Sequence, residues 1–368
     1  MAKARGEEAE VESALERAAN LLGRARLPVL GGLFTDISGA AAALALAEKL
    51  GGVVDHGAST GLMRASRMMR ETGATPASFG EVRNRADTVV VIGQAPLDRD
   101  PDLVAKLFPA EPGLPRPGDN KRELFLLGTA KAKTSSHVRV TPVNGKTALP
   151  DLVALLAASV RETRFDMRDK ALRGKIEALG ARLRKSAFAV FVYDPAELPE
   201  PVLHTILETV RHLVLTTRAA ILSLAAPGNG DGVNLCSTWT CGLPVRTSFA
   251  RAVPEHDAWA FDTERLLKSG EADALVWIDA LDGESAARPK GAPAVVLSAT
   301  PGKAARGDIV IEVASAAGDH DAALYLPPIS GIGMVKAGKA NTDRPTAADM
   351  LNRIAALIDA KIDAEGAA

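Results

Sequence analysis

Residues 85–93 read Arg-Ala-Asp-Thr-Val-Val-Val-Ile-Gly, and residues 271–279 read Glu-Ala-Asp-Ala-Leu-Val-Trp-Ile-Asp. In both stretches an Ala-Asp step leads into apolar residues of high strand propensity and then into a polar loop. Two further apolar stretches follow each copy: 123–127 and 138–140 after the first, 294–297 and 309–313 after the second. Short, fully apolar runs that alternate with helical patterns are typical of parallel strands covered on both faces. The duplication therefore predicts an α/β protein with two doubly wound (Rossmann-like) parallel-sheet domains.

Composition and charge exclude several classes of protein. A length of 368 residues suits two domains, and 47% hydrophobic residues are enough for two cores. The 44 basic and 45 acidic side chains leave a formal charge of −1. Because nucleic-acid and anionic-membrane binding both need a basic excess, we expect neither. The sequence contains no apolar stretch of membrane-spanning length, and its N-terminus is charged, so we expect a cytoplasmic protein.

The two cysteines, Cys236 and Cys241, lie five positions apart in a segment rich in Thr and Trp. Such a pair could ligate a metal or form a redox couple. No second cysteine pair accompanies them, and the nearest histidine is His256. We therefore interpret both cysteines as packing residues in a reducing compartment.

Two short segments could bind a ligand. Gly228-Asn229-Gly230-Asp231-Gly232 follows an apolar stretch and could hold a phosphate on backbone N–H groups. We expect no clear helix after it, and the spacing differs from the dinucleotide fingerprint, so a structural turn is favoured. Asp55-His56-Gly57-Ala58-Ser59 follows the short strand 53–55, at the sheet edge where open α/β folds bind ligands. The sequence contains no nucleophile elbow, zinc-protease motif or Walker motif, which favours a binding or assembly protein.

A family resemblance rests on the stretch Ser-Phe-Gly-Glu-Val-Arg-Asn-Arg-Ala-Asp at 78–87, supported by residues 28–31, 242–249 and 326–332. Over roughly residues 27–345 the chain resembles the B subunit of formylmethanofuran dehydrogenase, a relative of the molybdopterin oxidoreductases. The resemblance implies two interleaved domains of that type. The first would comprise residues 24–62 and 186–368, the second would be residues 63–185 inserted between them, and residues 1–23 would form an N-terminal helix.

The departures from that family concern its redox centre. The sequence has no cysteine before Cys236, so the N-terminal [4Fe–4S] cluster of the catalytic members cannot form. Asp55 and Ser59 match an Asp-x-x-x-Ser step that in those members precedes the Cys or selenocysteine ligand of tungsten or molybdenum. Thr60 and Gly61 follow here instead, and neither offers the soft ligand that such a metal prefers. We therefore expect no tungsten or molybdenum pterin and no iron–sulfur cluster, and we assign no catalytic or metal residue. What remains is a vestigial pocket with these candidates: Asp55, His56, Ser59, Thr60, Gly61, Gly228 and Gly230.

This pattern resembles the B subunits of the formyltransferase/hydrolase complexes of methylotrophic formaldehyde oxidation. The resemblance implies a complex that transfers formyl from formyl-tetrahydromethanopterin to methanofuran and hydrolyses formylmethanofuran to formate. It also implies that the A subunit carries a hydrolytic metal and that the D subunit, with the C subunit, carries the transferase site. The present chain would then be a non-catalytic scaffold whose partners are the A, C and D subunits. Its expected contact segments are 63–69, 107–117, 235–245 and 326–335.

Two enzyme alternatives remain. One is a pterin- or nucleotide-binding oxidoreductase subunit with its own active site at Asp55–Ser59 and Gly228–Gly232. The other is a fragment of a thiamine-diphosphate enzyme, because Gly230-Asp231-Gly232 matches the start of that family's metal signature. No Asn-Asn pair follows it anywhere in the sequence, which disfavours this second alternative.

Overall fold

A computed structural model describes residues 2–109, 122–129, 137–283, 287–300, 307–338 and 343–366, without the side chains of 2–9 and 365–366. The helices in these residues are α1 (Ala2–Gly23), α2 (Ile37–Leu50), α3 (Ser59–Thr72), α4 (Phe79–Arg85), α5 (Ala95–Arg99), α6 (Leu103–Leu107), α7 (Leu149–Val160), α8 (Lys170–Arg184), α9 (Glu200–Val214), α10 (Gly230–Cys241), α11 (Thr263–Ser269) and α12 (Ala347–Gly366). The strands are β1 (Pro28–Phe34), β2 (Val53–Val54), β3 (Thr88–Ile92), β4 (Glu123–Leu127), β5 (Arg139–Val143), β6 (Phe188–Tyr193), β7 (Arg218–Ser223), β8 (Thr247–Ser248), β9 (Glu255–His256), β10 (Ala274–Asp279), β11 (Ala294–Ser298), β12 (Ile309–Glu312), β13 (Ala322–Leu326) and β14 (Gly331–Val335). None of these helices is long and apolar enough to cross a membrane.

The chain forms two compact units. The first comprises Met1–Ser59, Ala226–Tyr325 and Gly331–Ala368, and the second comprises Thr60–Ala225 with Leu326–Ser330. These limits differ from the expected domains, which placed residues 186–225 in the first domain and residues 1–23 apart. Strand β6 pairs with β3 and β7 pairs with β6, so both strands belong to the second unit. Helix α1 packs against α12 and β12 and is part of the first unit.

The second unit is a parallel sheet of strand order β5-β4-β3-β6-β7. Strands β3, β4, β6 and β7 are largely buried because a hydrophobic core lies on each side of the sheet, whereas the edge strand β5 is mostly exposed or half-buried. One core contains Val90, Phe191 and residues of α7, α8 and α9, and the other contains Val91, Val190 and residues of α4 and α6. The doubly wound arrangement predicted from the apolar strands is confirmed for this unit.

The first unit contains a sheet of strand order β12-β11-β10-β1-β2-β8-β9. The run from β12 to β2 is parallel, and β8 and β9 extend the sheet beyond β2 as antiparallel strands. Helix α2 packs against α12 and α10, and a core that includes Val29, Leu275 and Trp277 lies on the sheet. This unit is also doubly wound, as predicted.

The parallel parts of the two sheets have the same spatial order with a different chain order. In each, the strand after the Ala-Asp step is central, namely β3 or β10, and the next two strands in sequence lie to one side. A consecutive pair lies on the other side: β6-β7 in the second unit and β1-β2 in the first. In the second unit the pair β6-β7 follows β3–β5 in sequence, whereas in the first unit the pair β1-β2 precedes β10–β12. The two units are therefore circular permutations of one topology.

The repeated Asp has the same role in both units. Asp87 accepts hydrogen bonds from the backbone N–H of Ala187 (3.1 Å) and Phe188 (2.8 Å), at the start of β6. Asp273 accepts them from Arg26 (2.9 Å) and Leu27 (3.0 Å), just before β1. In both cases the aspartate that precedes the central strand accepts hydrogen bonds from the backbone at the amino end of the neighbouring parallel strand. The duplicated sequence motif thus has a structural cause.

The expected contact segments have mixed outcomes. Ile329, Met334, Leu235 and Trp239 are exposed, although residues 235–241 are helical and do not form the expected loop. The other two segments contain buried residues. Met63 and Met68 are buried on α3, and Met68 packs into the core of the second unit, as Leu107 and Phe108 do, whereas Met69 is exposed. Residues 110–117 lie outside the described residues.

Candidate functional site

The candidate pocket residues of the first unit lie where β2 ends. Asp55 and His56 come directly after β2, and Ser59 is the first residue of α3. This is the carboxyl edge of the parallel sheet, the edge at which open α/β folds bind ligands. The structure brings Asp55 and Ser59 into one polar cluster, and it brings His56 together with Gly228 and Gly230.

His56 is a buried imidazole with both ring nitrogens engaged. The backbone N–H of Ala58 donates to Nδ1 (3.0 Å), so the proton is on Nε2, which donates to the Gly228 carbonyl (2.9 Å). Burial lowers the pKa of His56 to about 4, although the bond to Gly228 acts in the opposite direction. His56 is therefore neutral at physiological pH, and it connects the end of β2 to the glycine-rich segment.

The glycines of that segment are required by packing. Gly228 has φ +67°, and a Cβ there would lie 2.2 Å from the ring of Phe34; a Cβ on Gly230 would lie 2.7 Å from Ala226 Cβ. Phe34 also contacts the His56 ring, with 5.1 Å between centroids. The expectation that no helix follows was wrong, because α10 begins at Gly230. Its sequence is rich in Gly, Thr and Cys, residue types that hide helical periodicity.

Side-chain hydrogen bonds of Asn229 and Asp231 fix the start of α10. Asn229 donates from Nδ2 to the Thr35 carbonyl (2.9 Å) and accepts at Oδ1 from the Tyr325 N–H (2.8 Å). The Asp231 carboxylate accepts from the Ala226 N–H (2.5 Å). Side-chain hydrogen bonds thus connect the segment to Thr35, just after β1, and to Tyr325 in β13. This supports the structural turn that the sequence favoured over a phosphate cradle.

Arg246 is the centre of the polar cluster, and sequence reasoning gave it no role. Its Nε donates to Ser59 Oγ (3.1 Å) and lies 3.4 Å from Asp55 Oδ1. Its Nη2 is 2.7 Å from Asp262 Oδ2, and Nη1 donates to the Ala258 carbonyl. A buried guanidinium between two carboxylates satisfies charges that would otherwise be costly to bury.

The backbone of Arg246 adds to this arrangement. Its φ is +63°, a left-handed conformation that is uncommon for residues other than glycine. Its N–H donates to the Val54 carbonyl (2.8 Å), and its carbonyl is 3.0 Å from His256 Nδ1. The surrounding contacts hold this conformation, and they connect β2 with β8 and β9.

Asp55 is held on a second side by α11. The N–H of Thr263 donates to Asp55 Oδ2 (3.0 Å). Burial raises the pKa of Asp55, while the Arg246 charge and the hydrogen bonds of Ser59 and Thr263 lower it. Asp55 thus has charged and hydrogen-bonded neighbours that belong to the chain itself.

The remaining candidates lie elsewhere. Thr60 and Gly61 belong to the second unit, where a Cβ on Gly61 would lie 3.0 Å from Ala196 N, so Gly61 serves close packing. Cys236 is buried in α10, and burial raises the pKa of its thiol. Cys241 donates to the Ser237 carbonyl (3.2 Å). Five positions on a helix correspond to about 140° of rotation, so the two cysteines point in different directions.

The donor groups of this pocket do not fit a tungsten or molybdenum centre. Residues 55–62 contain no cysteine, and the oxygen and nitrogen ligands present are engaged by Arg246, Thr263, Ala58 and Gly228. Among the described residues, no group of three or more His, Cys, Asp or Glu could hold a metal ion. Asp55, His56, Ser59 and Arg246 therefore form a charged and hydrogen-bonded group of side chains at the carboxyl end of β2. We call this group the plug.

Comparison with known proteins places the chain among doubly wound α/β components of multi-chain enzymes. A chain in the crystal structure of the formyltransferase/hydrolase complex FhcABCD from Methylorubrum extorquens, in complex with methylofuran, superposes with a TM-score of 0.83; the match has 30% identity and covers 96% of this chain and 97% of that one. The B subunit of the complex Fhc from the same species is 33% identical over 278 residues, which are 75% of this chain and 74% of that protein. The chain belongs to the family of formyltransferase/hydrolase complex B subunits.

More distant relatives and family models add little. The B subunit of the tungsten-containing formylmethanofuran dehydrogenase 2 is 23% identical in Methanococcus maripaludis and 24% identical in Methanocaldococcus jannaschii. Each match spans 63% of the archaeal protein. No family model matches the sequence. The resemblances on residues 78–87 and the supporting stretches are confirmed at the level of the family.

Proposed function

We propose that this chain is the B subunit of a cytoplasmic formyltransferase/hydrolase complex and serves there as a scaffold without its own catalytic site. Its partners would be the A, C and D subunits. The complex would transfer formyl from formyl-tetrahydromethanopterin to methanofuran or a related furan and hydrolyse the product to formate. The hydrolytic metal would be held by the A subunit. Family membership and the match over nearly the whole chain support the assignment to this complex.

The plug at the end of β2 is the observation that carries the scaffold proposal. Asp55, His56 and Ser59 are the pocket candidates most suited to acid–base chemistry. Both ring nitrogens of His56, Ser59 Oγ and Asp55 Oδ2 are hydrogen-bonded inside the chain, and Asp55 Oδ1, which is buried without a hydrogen-bond partner, lies 3.4 Å from Arg246 Nε. A general base must reach the proton that it removes from substrate. Residues committed to Arg246, Gly228 and Thr263 serve the fold instead. Among the residues that the structure describes, the contacts of Asp55, His56 and Ser59 do not favour the oxidoreductase alternative.

Variants of the plug in the assembled complex test this proposal. His56→Gln keeps a side chain that can donate to the Gly228 carbonyl, and Asp55→Asn keeps an acceptor for the Thr263 N–H. Each variant should change formyl transfer and hydrolysis by less than about tenfold per assembled complex, below the roughly 10²–10⁴ typical of a lost acid–base residue. Both half-reactions are measured on material that elutes as complete complex from a sizing column.

Co-purification supplies the control for assembly. A tagged wild-type chain isolated from its own host should bring the A, C and D subunits with it, and the chain alone should have neither activity. A variant that assembles fully yet loses one half-reaction would place a catalytic residue in this chain. Activity of the isolated chain would also contradict the proposal.

A further inference from the structure

A loop of the first unit, residues 257–262, holds a tryptophan at the surface. Trp259 is 72% exposed and lies between β9, the last strand in the order of this sheet, and helix α11. An exposed indole lacks the stabilisation that its burial would give. Tryptophan is also one of the residues that most often supply the binding energy of protein interfaces. The loop is therefore a candidate contact surface, and none of the contact segments expected from the sequence includes it.

The backbone of this loop is fixed on both sides of Trp259. Asp257 Oδ1 accepts hydrogen bonds from the backbone N–H groups of Trp259 (2.8 Å) and Ala260 (2.7 Å). The Ala258 carbonyl accepts a hydrogen bond from Nη1 of Arg246, a member of the plug. The plug thus holds the loop at the residue that precedes the tryptophan.

The indole itself is held by Arg265. The guanidinium lies over the ring, with 4.8 Å between its Cζ and the ring centroid. Arg265 Nε donates to the Ala260 carbonyl (3.0 Å), and Nη1 pairs with Glu271 Oε1 (2.7 Å). A side chain that is ordered before binding loses less conformational entropy when a partner covers it. Trp259 is thus exposed to solvent and ordered at the same time, as an interface anchor should be.

Two acidic side chains flank Trp259 in sequence. Asp257 and Glu264 are both exposed, and neither forms an ion pair with another described residue. Arg265, by contrast, is paired with Glu271. Because opposite charges across an interface guide association and fix its register, basic side chains around an apolar pocket would complement both the indole and the two carboxylates.

We propose that residues 257–262 are a docking loop for another subunit of the complex, which receives Trp259 in an apolar pocket with a basic rim. This inference rests on the proposed function, because the complex supplies the partner. It also gives the plug a role in assembly: Arg246 positions the docking loop through the Ala258 carbonyl.

Removal of the indole tests the docking loop in the full chain. The A, C and D subunits are titrated onto tagged wild type or variant, and dissociation constants are measured from the bound fraction. Trp259→Ala should weaken binding about 30-fold, the size typical of an interface hot spot. Its thermal midpoint should stay within about 2 °C of wild type, because only an exposed contact with Arg265 is lost. Leu215→Ala is the matched control: it truncates an exposed apolar side chain of the second unit and should change binding less than about threefold.

Salt dependence tests the basic rim. The affinity of the wild type should fall as sodium chloride is raised, and Glu264→Gln should bind more weakly at low salt with a smaller salt dependence. Identical salt profiles for the two proteins overturn the basic rim.

The remaining outcomes separate this inference from the proposed function. Equal binding by wild type and Trp259→Ala overturns the docking loop and leaves the proposed function standing. Failure of the wild type to bind any of the three subunits contradicts both. Self-association of the isolated chain that Trp259→Ala abolishes would assign the loop to a second copy, which also overturns the inference.

Discussion

His56 and Arg246 are the two residues that determine the character of the carboxyl end of β2. His56 has a fixed tautomer, because Nδ1 accepts from Ala58 and Nε2 donates to Gly228. Arg246 supplies a permanent positive charge next to Asp55 and Asp262. A neutral imidazole and an ionic cluster of opposite charges together allow these polar side chains to be buried at the carboxyl end of β2.

The pKa of His56 leads to a pH-dependent stability. Between pH 6.5 and about 4 the unfolded chain binds a proton at His56 while the folded chain does not, so acid favours unfolding across this window. The full difference corresponds to roughly 3 kcal/mol. We expect the free energy of unfolding of the wild type to fall more steeply from pH 6.5 to 4 than that of His56→Gln, measured by urea denaturation. Parallel pH profiles would contradict this prediction.

Residue patterns predicted part of this site. Asp55, His56 and Ser59 were expected at the end of a strand, and the glycine-rich segment was expected to be structural, because both expectations depend on local sequence. Arg246 was missed because its hydrogen bond to Ser59 joins residues 187 positions apart. An arginine with a positive φ is also not recognisable from the local sequence, whereas a glycine often marks such a backbone conformation. The sequence signal that existed was an arginine as the single charged residue of the stretch 242–249.

At the scale of elements, the aspartates before β3 and β10 have equivalent bonds but different surroundings. The Asp87 side chain is 6% exposed and also pairs with Arg182 (3.1 Å). The Asp273 side chain is 29% exposed, and its ionic partner Arg26 is almost fully exposed. The same motif therefore contributes to stability through a buried ion pair in the second unit and through a partly hydrated ion pair in the first.

This contrast predicts unequal effects of the same substitution. Asp87→Ala removes the acceptor of the buried Phe188 N–H and of the part-buried Ala187 N–H, while Arg182 keeps Glu123 as a partner, and it should destabilise the second unit by about 2–3 kcal/mol. Asp273→Ala should have an effect of about 1 kcal/mol, since water can replace the lost acceptor. Urea denaturation followed by probes in each unit measures both. Equal effects would mean that burial does not distinguish the two positions.

The strands were predicted more accurately than the unit boundaries. Apolar runs predict strands that are buried on both faces. The runs 88–92 and 274–279, for example, are strands at the expected positions. The assignment of β6 and β7 to the second unit was missed, because an apolar strand can pair with either sheet and sequence periodicity carries no information about its partner. Helix α10 was missed for the local reason of its composition.

At the scale of the whole molecule, the described members of both hydrophobic clusters on the sheet of the second unit belong to that unit. Both clusters that cover its sheet lie between Met68 and Leu224. Residues 326–330 also belong to this unit and pack against α4. Most of the side chains that cover this sheet thus come from one continuous stretch of the chain.

A fragment of residues 60–225 should therefore fold alone into the five-stranded sheet. We expect dispersed amide resonances and a single cooperative urea transition. The matched control is residues 63–185, the domain expected from sequence, which lacks β6 and β7 and should remain unfolded because Val90 and Val91 lose their neighbouring strand. Cooperative folding of the shorter fragment, or failure of the longer one, would contradict the observed division.

The permuted topology has a consequence for synthesis on the ribosome. Strands β1 to β5 emerge before β6 and include a counterpart of every strand position in the parallel sheet, so the first 150 residues could pair β1 with β3 in a contiguous but incorrect sheet. The native arrangement requires β1 and β2 to wait for β10, more than 200 residues later. Native folding therefore requires a local pairing to give way to a distant one, and until β10 is made the strand edges of β1 and β2 lack their native partner.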